Sequence, residues 1–216
     1  MVAAAPHDTG QGTRRAGDRA LAARDLAGSK KNARRRGATL VFLDESGFSE
    51  RPAVRCTWAP RGCTPVLTHR HRSWNRLSAI GAVALRPGRP GAQPLLMFQR
   101  GTVRSPQLVR FLKHLRRHLP GPVILIWDGL NVHRSAATRA YLEQQAGWLR
   151  VQRLPGYAPE LNPVEGVWAW FKGTVVPNLC PNDLRELHQA LANGRRRLGR
   201  RPALVRSFVD KAGLFF

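Results

Sequence analysis

The 216 residues carry 36 Lys and Arg against 13 Asp and Glu, a formal net charge of +23, and 43% of them are hydrophobic. That length and apolar share suit one globular domain with a real core, while the charge points to polyanions as partners, nucleic acid first. No apolar run nears the ~18 residues of a membrane span, and residues 1–6 are too short and weakly apolar for a signal peptide, so no membrane role and cytoplasmic residence are expected.

Residues 1–37 are Gly- and Ala-rich and basic, with nine Lys/Arg against three Asp. They lack sustained helical periodicity and read as a mostly disordered arm, with a short helix near 18–27 as the exception. Such an arm either contacts phosphates or is a solvated tail. Residues 38–216 form the folded domain. Residues 39–43, TLVFL, are a short run apolar on both faces, the pattern of a buried strand, closed by Ser46-Gly47. Residues 51–67 read as a turn-rich hairpin region, and His69 to Arg76 as a basic cluster around Trp74. Residues 77–85 and 94–99 pair as strands across the Pro/Gly turn 87–91. Ser105-Pro106 opens a helix striped by Leu108, Leu112, Leu115 and Leu119. Residues 122–127 are the next strand, Ser135 to Ala146 a helix, and 148–153 a third central strand. A further helix starts near Pro163, and an Arg-rich one covers 182–199. Strand–helix alternation beside a hairpin predicts a mixed α/β sheet with right-handed crossovers.

Two apolar runs end alike, TLVFL at Asp44 and VILIW at Asp128. Asp128 is the only acid between Glu50 and Glu143, in an interval full of arginine. If both strands are central and parallel, both carboxylates emerge at one sheet edge, where α/β sheets bind ligands. Adjacent strands lie about 4.8 Å apart, so the pair would repel unless protonated or bridged by a hard cation such as Mg²⁺. The alternative is that each Asp merely begins a turn. Glu165 is the third candidate, at a helix start reachable from the same edge. Asn162-Pro163-Val164-Glu165 is equally close to a capping box, and spacing does not separate a cap from a ligand. Glu45 should face away from Asp44, because neighbours on a strand point to opposite sides. His133 would touch phosphate or orient its turn. His114 and His118 have metal-like spacing but no acidic partner. Gly81 reads as a bulge. Cys56, Cys63 and Cys180 match no zinc spacing and read as reduced thiols.

Four segments, FLDESGF (42–48), TWAPRGCTPV (57–66), WDGLNVH (127–133) and LPGYAPELNPVEGVW (154–168), together resemble the catalytic domain of DDE transposases, in the bacterial insertion-sequence branch of the mariner-like superfamily. The resemblance covers about residues 38–190. It implies an RNase H-like fold, a mixed five-stranded sheet flanked by helices. It also implies that Asp44, Asp128 and Glu165 are the catalytic acids and hold two Mg²⁺ or Mn²⁺ ions for DNA cleavage and strand transfer. Many relatives carry Asn directly after the second Asp; here Gly129 stands there and Asn131 follows two later. Helix-turn-helix modules for the transposon ends do not fit in residues 1–37, so a separate region supplies them or the copy is truncated. An inactive nucleic-acid-binding remnant, or a nuclease acting on RNA or hybrids, are the competing readings. Expected partners are transposon-end and target DNA and a second copy in a homodimer, in the cytoplasm at the nucleoid. Arg70, Arg72, Arg76, His133, Lys172, Arg195, Arg196 and Arg197 are the candidate DNA contacts, to backbone rather than bases.

Overall fold

A computed structural model of the chain describes residues 24, 26–69, 75–89, 91–154 and 159–214. The sheet has five strands: β1 (Thr39–Ser49), β2 (Arg76–Leu85), β3 (Gln93–Arg100), β4 (Val123–Trp127) and β5 (Leu149–Arg153). Their order is β3-β2-β1-β4-β5. β1 pairs antiparallel with β2 and parallel with β4. β2–β3 is antiparallel and β4–β5 parallel.

The doubly apolar runs are explained by helices on both faces. Along β1 and β4, Leu40, Phe42, Ile124 and Ile126 enter one core, and Val41, Leu43, Leu125 and Trp127 the other. The second core is roofed by α2 (Ser105–His118) and α3 (Ala136–Gln144). The first lies beneath α1 (26–36), α4 (Pro163–Trp170), α5 (Leu184–Gly199) and α6 (Pro202–Lys211). Each fully buried Leu, Ile or Phe contributes about 1.5–3 kcal/mol to that packing.

Several expectations are corrected. Ser46-Gly47 does not end β1; Gly47 pairs with Ser78 and the ladder runs on to Ser49, because β2 continues alongside and Phe48 is buried. Residues 51–67 form no hairpin; Ala53 bridges Pro177, and Asn178 holds the backbone of Arg55 at 2.8 and 3.0 Å. β5 is an edge strand rather than a central one, and its pattern is accordingly polar: Arg150, Val151 and Arg153 are exposed. Residues 26–36 are helical where an irregular arm was expected. Their buried stripe is Leu26, Ser29 and Ala33, with two small residues that give little periodic signal. α6 was not foreseen; Val205 and Val209 bury it against α4 and α5. Ser105 is not an N-cap: Arg104 holds that position, and Ser105 Oγ bonds Ser135, the N-cap of α3, at 2.7 Å. Cys56, Cys63 and Cys180 are all free thiols. Among the described residues no helix is long and apolar enough to cross a membrane.

Candidate active site

β1 and β4 run in register from Thr39↔Val123 to Phe42↔Ile126. Two more residues along that register bring Asp44 level with Asp128. β4 stops at Trp127, whereas β1 continues beside β2, so Asp44 borders the gap that β4 leaves. By strand alternation Asp44 follows Leu40 and Phe42 onto the α4 face, and Glu45 follows Leu43 onto the other. Both side chains behave accordingly. Asp44 Oδ2 accepts a 3.0 Å bond from Nε1 of Trp168 on α4, and Glu45 Oε1 lies 3.0 Å from Nε2 of His133.

The Trp168 indole reaches Asp44 by packing closely against β2, and Gly81 makes that possible. Gly81 pairs directly opposite Asp44 in an unbroken ladder, so it marks no bulge. A Cβ there would stand 2.6 and 2.7 Å from Cη2 and Cζ2 of Trp168 and 2.9 Å from Leu96.

Glu165 sits at the third position of α4, exposed, above the same rim. The capping alternative is settled by hydrogen bonds. Asn162 Oδ1 caps the helix by accepting from Val164 N–H at 3.1 Å, but the backbone N–H of Asn162 donates to the Pro159 carbonyl at 2.9 Å. No donor of the capping box is left for Glu165, and its carboxylate makes no hydrogen bond to a described residue.

Asp44 is half-buried, and its pKa is raised to about 7. Burial is the largest cause and the negative charge of Glu165 the second; Glu45 adds to it, against bonds from the Glu45 backbone N–H and Trp168. Asp44 and Glu165, 121 positions apart, therefore feel one another across the rim. Asp128 behaves oppositely. Partial burial pushes its pKa up, but His133 and the Leu130 N–H outweigh that and hold it below the ordinary value. Its Oδ1 accepts from Leu130 N at 3.1 Å and lies 3.0 Å from His133 Nδ1, so it also serves the turn, as the plainer reading supposed.

His133 is the main departure from the expected site. It is 3% exposed and stacks flat on Trp127, ring centroids 4.1 Å apart. That burial argues against the expected DNA contact: the single helical turn Asn131–Arg134 folds the ring inward between two carboxylates. Burial alone would lower its pKa; bonds to Asp128 and Glu45 raise it to about 9. Glu45, Asp128 and His133 form a compact group, with one ligand-type atom from each within 4.8 Å of the others.

Arg70 and Arg72 lie outside the described residues. Arg76 opens β2 opposite Ser49, at the end of the sheet towards which β1 carries Asp44. Lys172 is exposed near the Phe48 ring, 6.0 Å from its centroid. Arg195, Arg196 and Arg197 are exposed on α5, though Arg195 also donates to the Leu96 carbonyl on the edge strand and Arg197 covers Trp170. The His114 and His118 rings lie 4.2 Å apart, tilted by 52°, and among the described residues no carboxylate contacts either ring.

Residues 39–188 match the family model described as DDE superfamily endonuclease. The chain belongs to that family. The DDE endonuclease domain is also similar in structure to the Mos1 transposase paired-end complex with left transposon end (18% identity, TM-score 0.59, covering 100% of this chain and 67% of that one). It is similar to the Mos1 mariner paired end complex with Mn (18%, 0.59, 100% and 67%) and to the isolated catalytic domain of Mos1 mariner transposase (16%, 0.54, 99% and 100%). The shared fold is the RNase H-like one, a mixed five-stranded sheet between helices. This chain thus spans all of a transposase catalytic domain and about two thirds of the longer Mos1 chains. A search of the curated proteins found no match.

Two features of this rim carry no recognisable spacing in the sequence: the Gly81–Trp168–Asp44 contact and the Glu45–His133–Asp128 chain. The one hint of the first is a glycine inside an otherwise β-branched and apolar strand.

Proposed function

We propose that this domain cuts DNA strands and joins them to a target in the transposition of an insertion sequence, with Asp44, Asp128 and Glu165 as its divalent-metal ligands. The observation that carries the reading is the parallel β1–β4 register that brings Asp44 level with Asp128, with Glu165 close enough to add to the burial that raises the Asp44 pKa. Two carboxylates brought together on a half-buried rim, with no cationic side chain among the described residues acting on Asp44, are a site short of positive charge. The donors are all oxygens, which suits Mg²⁺ or Mn²⁺ rather than softer metals. Mos1 complexes with each of these ions are known, and others hold transposon-end DNA.

Two such ions, when bound, supply an activated water or 3′-hydroxyl and neutralise charge on the leaving oxygen. The chain's own contributions are separate. Asp44 would give up its proton to hold a cation, and Trp168 N–H, donating to Oδ2, keeps the carboxylate in one orientation. Asp128 stays ionised and offers Oδ2, since Oδ1 is engaged. Glu165, which plays no part in the cap, stands on a helix anchored by Val164, Val167 and Trp168. Arg76, Lys172 and Arg195 to Arg197, with Arg70 and Arg72, would neutralise backbone phosphates on approach. A helix-turn-helix region outside residues 38–216 would recognise the transposon ends, a homodimer would pair them, and the enzyme would act on cytoplasmic, nucleoid DNA.

The test is incubation of the full chain with supercoiled plasmid, Mg²⁺ or Mn²⁺, and a labelled 3′-hydroxyl oligonucleotide. Metal-dependent nicking and oligonucleotide joining, both lost in Asp128→Asn, are expected. Undiminished nicking by Asp128→Asn overturns the reading, and preferential cutting of an RNA–DNA hybrid would replace the transposase by a hybrid-directed nuclease.

A further inference from the structure

We propose that Glu45 and His133 are positioning residues: through one continuous hydrogen-bonded chain they aim the Asp128 carboxylate at the rim. The inference rests on the assignment of Asp128 as a metal ligand and deepens it.

The geometry is specific. Nε2 of His133 is 3.0 Å from Glu45 Oε1. Nδ1 is 3.0 Å from Asp128 Oδ1 and 3.1 Å from the Asp128 carbonyl. Every one of those partners is an acceptor, so both ring nitrogens donate. The two Nδ1 contacts pin the backbone and the side chain of Asp128 together, and Leu130 N–H adds a third bond at 3.1 Å. Oδ1 is consumed, so Oδ2 is the oxygen left for a cation. The ring itself is fixed by stacking on Trp127, with an interplanar angle of 2°. Glu45 comes from β1, one residue beyond Asp44. A single strand therefore supplies one proposed ligand to one face and the anchor of a second ligand to the other.

The same three residues might be taken for a metal centre of their own. The ring argues against it: neither nitrogen has a free lone pair while each donates to an oxygen 3.0 Å away. A purely structural role is the more serious competitor, since buried histidines are commonly just satisfied. But buried ion pairs add little net stability, and apolar residues of similar volume often replace them without loss. Glu45 also keeps Oε2 buried with no partner among the described residues, a desolvation cost that packing alone gives no reason to retain.

These roles separate in the double variant Glu45→Leu/His133→Phe, which removes both charged groups, keeps a flat ring on Trp127 and leaves no lone buried charge. Mn²⁺ binding is read by electron paramagnetic resonance of the free ion, folding by thermal melting, and nicking on supercoiled plasmid. We expect a melting temperature equal to or above that of the parent, and Mn²⁺ affinity and nicking weakened ~10–100-fold, the usual effect of removing a ligand's supporting bond. Parental Mn²⁺ affinity in the folded double variant overturns the proposal. If it does not fold, His133→Asn against His133→Ala decides: the Asn amide can donate in place of Nδ1, so partial rescue by Asn is expected and equal loss overturns it. Asp128→Asn separates the levels. Should it bind Mn²⁺ as the parent does, the metal-site assignment itself fails; should it lose Mn²⁺ while the double variant keeps it, the positioning role alone fails.

Discussion

Replacing Gly81 by Ala should damage the site through a residue that touches neither metal nor DNA. The new Cβ would lie 2.6 Å from Trp168 Cη2 and 2.7 Å from Cζ2, against an ordinary carbon contact of about 3.5–4.0 Å. The indole must retreat by roughly 1 Å, since Leu96, at 2.9 Å, closes the other side. Overpacking of this kind costs about 1–3 kcal/mol. Retreat also stretches the 3.0 Å bond to Asp44, and a bond to a charged group is worth about 1.5–3 kcal/mol. For a chain of this size a loss of that order lowers Tm by about 2–4 °C per kcal/mol. A displacement of ~1 Å at a reacting centre can cost ~10²-fold in rate, so nicking should fall more than stability suggests. A double-mutant cycle measured by chemical denaturation supplies the decisive comparison. Trp168→Phe deletes the two closest clashing atoms and leaves only Leu96 Cδ2 at 2.9 Å, so Gly81→Ala should cost less in that background, with a coupling of ~1–3 kcal/mol. Strict additivity, or parental activity and stability in Gly81→Ala, would refute the proposed contact.

Three further outcomes are expected. With chelator present, Asp44 has a folded pKa of about 7 against 3.8 unfolded, so the folded state binds the extra proton and stability falls as pH rises from about 4 to 7. Asp44→Asn should lack that decline and be more stable than the parent at pH 8, by on the order of 1–4 kcal/mol, and identical pH profiles for the two proteins would contradict it. His133 titrates the other way: its folded pKa of about 9 means that its contribution is complete below its ordinary value and lost as pH climbs through 9, so His133→Phe should flatten the alkaline limb of the melting profile. DNA binding should weaken by ~10³-fold or more between 50 and 200 mM salt, with Lys172→Ala reducing the log–log slope by about one, and a flat salt dependence would remove the basic-surface argument.

Much of the site could be seen in the chain because strand physics exposes it. A run apolar on both faces announces a strand buried on both faces, and two such runs ending in Asp predict two acids at one edge. The alternation rule correctly sent Glu45 to the opposite face from Asp44. What spacing alone could not decide was set by distant partners. Glu165 has a capping-box position, yet Pro159, not Glu165, takes the Asn162 N–H. His133 looks like an exposed loop residue until Trp127 and Glu45, the latter 88 positions away, enclose it. β5 reads as central from its Leu and Val, but its order in the sheet depends on which strands precede it. α1 is concealed by its small buried residues, and Gly81 by a steric requirement that exists only once Trp168 lies over it.

The most direct measurement is the anomalous signal of Mn²⁺ soaked into crystals of the domain. The account predicts peaks bounded by carboxylate oxygens of Asp44, Asp128 and Glu165, with His133 still hydrogen-bonded to Asp128 and touching no ion. A peak held instead by His133 and Glu45, or saturating Mn²⁺ that leaves the three carboxylates bare, would contradict it.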